Sequence, residues 1–190
     1  MFKNILIILL VTQLSSCAVL HEEYFYPQAN GAIVEKQWCR GKVGVDNQLI
    51  FQFDDVKVNL KVWEHKGITR LGVSFEVYED ARILWPKQLV KIDVGKSSHE
   101  LKVDGFTRLR FKNKAQSNEL LHKEYLVNST MNRTTDEIYE TYSNSFIITD
   151  KIVEKLEIRK IRVFINDKEH VLTEIFFTKK SGVFLHPLNC

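Results

Sequence analysis

Lys102, Arg108, Arg110, Lys112 and Lys114 fall at alternate positions in and just beyond two neighbouring extended stretches, while Leu109 and Phe111 face the other way. Alternate residues of a strand share one face, so this pattern predicts a basic face that attracts phosphates or carboxylates, more strongly if Arg159 and Arg162 come alongside. The ordinary alternative is the solvated side of a sheet whose Lys and Arg blunt an exposed edge. Other chemistry-bearing residues lack the spacing a reaction needs. Ser97-Ser98-His99-Glu100 sets a hydroxyl beside an imidazole and a carboxylate, but sequence neighbours on a strand point to opposite faces, so adjacency is no triad. Asp54-Asp55 and Glu79-Asp80 flank turns and read as solvated carboxylates; a calcium role would need more oxygens converging from elsewhere. The six histidines show neither H-E-x-x-H nor another ligand spacing, so no metal site is expected. There is no P-loop, G-x-G-x-x-G, G-x-S-x-G or S-x-x-K motif either.

The elements that must position these residues have a period of two. Val56, Val58, Leu60 and Val62 alternate with Lys57, Asn59, Lys61 and Trp63, and Leu71, Val73, Phe75 and Val77 repeat the pattern, each a strand with one face on a core. Further strands are expected at 32–39, 48–53, 89–94, 99–103, 106–111, 145–149, 159–165, 171–178 and 182–185. Asp46-Asn47, Asp54-Asp55, Gly95-Lys96, Asp104-Gly105 and Asn166-Asp167 supply turn residues between them. Many short strands at close spacing predict a mainly β protein, an antiparallel β-sandwich of immunoglobulin-like or similar form. One or two short helices are expected within 115–157, from Leu121 and Tyr125 four apart, and from Thr134-x-x-Glu137 as a capping box ahead of Ile138 and Tyr142. With 27 Lys and Arg against 24 Asp and Glu in 190 residues, the net charge of +3 is too small and too dispersed to make nucleic acid the expected partner.

The amino terminus says most about location. Lys3 supplies a positive start and residues 5–11 an unbroken apolar run, well short of the roughly 20 residues a membrane span requires. Leu14-Ser15-Ser16-Cys17 then resembles the lipobox of bacterial lipoproteins, a resemblance confined to about the first 17 residues. It implies cleavage between Ser16 and Cys17, diacylglycerol on the Cys17 sulfur and an N-acyl chain as the only non-protein groups. Two or three acyl chains anchor durably where one gives only marginal binding. Ala18 rather than Asp after the cysteine implies the outer membrane, with the domain facing the periplasm. Removing 16 of 190 residues leaves 174 and, with Lys3 gone, a charge of +2.

In that oxidising compartment Cys39 and Cys190 make an even pair. A bridge between them would contribute about 5 kcal/mol in the chain-entropy model; the alternative is two free thiols, or Cys190 paired with another molecule. Residues 18–23 read as a short tether reaching about 20 Å and 24–190 as one domain. Tyr24-Phe25-Tyr26 reads as the start of a packed strand or as rings resting in the membrane interface. The leading expectation is a noncatalytic envelope lipoprotein that binds or supports an envelope protein, lipopolysaccharide or peptidoglycan, beside the bilayer its anchor enters. An inhibitor or immunity protein against a wall- or membrane-directed toxin, and a hydrolase acting on wall glycan or lipid, are the alternatives.

Overall fold

The computed structural model describes residues 18–37, 43–54, 56–77, 81–103, 105–112, 115–122, 126–129 and 138–186. In chain order the strands of the first half are β1 (Ala18–Gln28), β2 (Ile33–Lys36), β3 (Asp46–Phe53), β4 (Val56–His65), β5 (Ile68–Val77), β6 (Ala81–Leu84) and β7 (Leu89–Val94). Those of the second half are β8 (Ser97–Lys102), β9 (Gly105–Lys112), β10 (Ala115–His122), β11 (Leu126–Ser129), β12 (Ile138–Thr149), β13 (Lys155–Ile165) and β14 (Lys168–His186). They form two antiparallel sheets. Sheet I runs β1-β14-β13-β6-β11, with β7 beside β13 and β8 beside β7; sheet II runs β10-β9-β12-β5-β4-β3-β2.

The alternating pattern does what its period requires. Val56, Val58, Leu60 and Val62 of β4 and Leu71, Val73, Phe75 and Val77 of β5 are buried, and the residues between them face outward. From sheet I, Ile158, Ile161, Val163, Ile165, Ile175 and Phe177 meet them in one continuous apolar cluster. Phe75, Trp85 and Phe106 lock edge to face, with centroids 5.3–5.9 Å apart, each such pair adding about 1 kcal/mol to its area burial. Lys66-Gly67 and Asn166-Asp167 close two-residue hairpins with positive φ at both positions, the turn whose twist matches its strands.

Three expectations change. No helix occurs among the described residues, and 115–122, 126–129 and 138–149 are strands. Residues four apart share a face on a strand as well as on a helix, so the spacing of Ile138 and Tyr142 does not separate the two; Thr134 and Glu137 lie outside the described residues. The strand expected from Tyr24 begins at Ala18, and 18–23 pair with 181–186 instead of hanging as a tether. Finally, 171–178 and 182–185 belong to one 19-residue strand, β14. Beyond Thr178, where β13 ends against it, β1 is the strand paired with β14, so the two extend as a ribbon.

Candidate functional site

Among the described residues, sheet I is interrupted beside β13. Along one edge of β13, β7 covers Leu156–Ile158 and β6 covers Phe164 and Ile165, leaving a gap between them. Pro86 lacks the N–H that would continue a ladder, and Trp85 turns into the core, 2% exposed. The Gln88 side chain fills the gap. Its Nε2 donates to the Arg162 carbonyl at 2.7 Å, and its Oε1 accepts the Arg162 N–H at 2.9 Å, so a side-chain amide stands in for a peptide unit.

Beside this gap both β13 and β14 are irregular. Arg159 and Glu174 fall between the registered pairs Ile158↔Ile175 and Lys160↔Thr173, and Glu174 has φ +55°. Buried positions on β13 therefore shift from 156 and 158 to 161, 163 and 165, which turns both Arg159 and Lys160 outward. With Lys91, Arg162, Gln88 and Leu89 they line an open cavity of about 320 Å³. Each of three cations also faces a carboxylate: Arg159 bonds Asp93, Lys91 stands 3.5 Å from Glu100, and Arg162 stands 3.6 Å from Glu169. Hydrogen bonds from Arg159 and then Ser98 hold the Asp93 carboxyl below its ordinary range, and the same contact raises Arg159. The Lys91–Glu100 and Arg162–Glu169 pairs are exposed and contribute little.

The expected five-residue basic face is divided. Lys102 ends β8 in sheet I, opposite Leu89, and is exposed on the cavity's side. Arg108, Arg110 and Lys112 lie on β9 in sheet II, because the chain crosses between sheets after residue 102. Arg108 shares the strand face of buried Phe106 and stands 5.9 Å above the ring of Tyr142. Its register partner on β10 is Glu119, and that of Arg110 on β12 is Glu140. Lys114, like Ser16, Cys17, Cys39 and Cys190, lies outside the described residues. Of that set Lys102 shares sheet I with Arg159 and Arg162, on a strand separated from theirs by β7. Lys91, Lys160 and Gln88 escaped the sequence reading. The signal for Lys160 was a charged doublet, Arg159-Lys160, interrupting the alternation between Ile158 and Ile161.

Two other concavities differ in character. On the outer face of sheet II a groove of about 400 Å³ is lined by Asn59, Trp63, Ser74, Thr107 and Ser143. The Trp63 ring lies against Gly72, where a Cβ would stand 2.8 Å from it. At the mouth between the sheets, Lys179 bridges Glu23 at 2.9 Å and Glu64 at 3.2 Å. Among the described residues no group of three or more His, Cys, Asp or Glu is arranged to hold a metal ion. The chain matches no family model, no curated protein and no solved structure.

Proposed function

We propose that this chain is a lipid-anchored protein of the bacterial envelope, on the outer membrane and facing the periplasm. Its noncatalytic β-sandwich binds another envelope component through that component's anionic groups. The observation that carries the binding role is the cavity lined by Lys91, Arg159, Lys160 and Arg162 together with Gln88 and Leu89. The four charged residues that line it are all cations, which attract anionic ligands in competition with the Asp93, Glu100 and Glu169 carboxylates that face three of them. Support for the compartment comes from Lys3, the apolar run 5–11 and Leu14-Ser15-Ser16-Cys17. Within this reading Cys17 carries the acyl chains, and Cys39 and Cys190 are bridged.

Growth with labelled palmitate is expected to label the protein, and Cys17→Ala to abolish the label; a label that persists overturns the anchor. Alkylation without reductant is expected to leave Cys39 and Cys190 unmodified. For the binding role, a photo-crosslinker placed at Leu89, beside the cavity, is expected to capture an envelope component that one at Ser145, on sheet II, does not. Equal capture from both positions defeats the assignment.

A further inference from the structure

The outer face of sheet I continues from the basic cavity to the β1–β14 ribbon. Register carries it across: Asp93 of β7 stands opposite Glu157 of β13, Glu157 opposite Phe176 of β14, and Lys155 opposite Thr178, which faces Tyr26 of β1. On the ribbon this face becomes aromatic. Tyr24 and Phe184 meet edge to face at 5.7 Å, and Gly182 leaves the space in which the Phe184 ring lies. Tyr24, Tyr26, Phe176 and Phe184 are all half-buried, so each keeps part of its ring in contact with solvent. Two exposed lysines sit on these rings: Lys180 Nζ is 3.6 Å from the centroid of Tyr26, and Lys155 Nζ is 5.1 Å from that of Phe176. Rings with a polar edge, flanked by cations on long apolar stems, suit the boundary between headgroups and acyl chains. The ribbon also ends where the chain is to be anchored. Ala18, the residue after Cys17, is the last pair of the ribbon, opposite His186.

We infer that the outer face of sheet I, from the Tyr24–Phe184 ribbon to the Lys91–Arg162 cavity, lies on an anionic bilayer surface. This inference rests on the envelope reading above and names the partner of that same site as lipid headgroup phosphates. The rings enter the interface, Lys155 and Lys180 reach the headgroups beside them, and the cavity takes headgroup phosphates farther along the sheet. The anchor holds the ribbon at the surface, and the face sets the domain's orientation. Sheet II and its Trp63 groove then point away from the membrane.

The experiment uses the mature chain, residues 17–190, with Cys17→Ala, so that no acyl chain contributes. It is expected to co-sediment with vesicles of phosphatidylcholine and phosphatidylglycerol, and not with phosphatidylcholine alone. Near an anionic surface each lysine is worth about fivefold in binding, so Lys155→Gln/Lys180→Gln is expected to weaken it by about 25-fold. A pair with the same change in charge on the outer face of sheet II, Gln52→Glu/Ser145→Glu, should leave binding within about twofold. Inorganic phosphate at matched phosphate concentration should not displace the protein. Equal binding to both vesicle types, an unaffected lysine variant, equal weakening by the sheet II pair, or displacement by inorganic phosphate each overturns the inference. Failure here leaves palmitate labelling untouched, whereas lost labelling with vesicle binding intact removes the anchor and keeps the face.

Discussion

Sheet II keeps a continuous ladder through its central strands, with register shifts at Glu35/Lys36 and Ile147/Thr149, whereas sheet I is interrupted beside β13. From β3 through β4, β5 and β12 the pairs of sheet II run unbroken until a shift at Ile147/Thr149. In sheet I, β13 is flanked by two short strands with a gap between them, and its pairing with β14 skips Arg159 and Glu174. The outward row Asn59–Ser74–Ser143–Thr107 of sheet II is uncharged, whereas the irregular point of sheet I carries Arg159, Lys160 and Arg162 together. A strictly alternating strand presents every second residue, so adjacent cations reach one face only where the alternation slips. The irregular point of sheet I is thus where cations adjacent in sequence share one face.

The largest test of this contrast strikes what both sheets share. Phe75→Ala, which empties the cluster with Trp85 and Phe106, is expected to cost about 3–5 kcal/mol in chemical denaturation; a loss below about 1 kcal/mol would mean that the sheets do not depend on a common core. Next comes the gap itself. Gln88→Ala leaves the Arg162 N–H and carbonyl without the amide and should cost about 2 kcal/mol, with faster hydrogen exchange at the Arg162 amide. Gln52→Ala on sheet II, whose exposed amide donates to the Asp54 carbonyl, should cost no more than about 0.5 kcal/mol. Similar losses would erase the distinction between the two sheets. Lys179→Met, at the mouth joining β14 to β4, leaves Glu23 and Glu64 facing each other without their cation; the expected loss is about 1 kcal/mol, smaller in high salt.

The smallest effect concerns His170, whose ring centroid lies 4.2 Å from that of Phe53 across the sheets. Burial first, then Lys168, lowers its pKa from the ordinary 6.5, with Asp54 opposing. Because the folded state holds the proton less tightly than the unfolded chain, stability is complete above pH 6.5 and declines as pH falls from there toward the lowered value. His170→Leu should flatten that slope in thermal melts between pH 7 and 5, and an unchanged slope would place its source elsewhere.

How much of this was legible depended on regularity. β4, β5 and β7 were readable because alternation is the sole rule they obey. The expected break at Lys179-Lys180-Ser181 was absent because Lys179 turns toward the mouth, where Glu23 and Glu64 meet its charge, so a polar run lies inside a strand. Asp46-Asn47, read as a turn, opens β3 instead, with Asn47 buried against the Gln37 amide at 2.9 Å. The basic face is divided for a topological reason. Lys102 and Arg108 are close in sequence, but no local pattern reports that the chain changes sheets between them, and none reports that a glutamine amide will stand in for a missing strand.

The pairing of β1 with β14 also constrains when the protein folds. Ala18 must wait for His186, and every pair of that ribbon joins the start of the described chain to its end. Contacts so distant in sequence close late and slowly, so during synthesis sheet I stays open until nearly the whole chain has emerged. Sheet II can assemble from nearer neighbours in the meantime. A chain threaded outward from its amino terminus would then cross with its first strand unpaired, and would complete that sheet only on arrival.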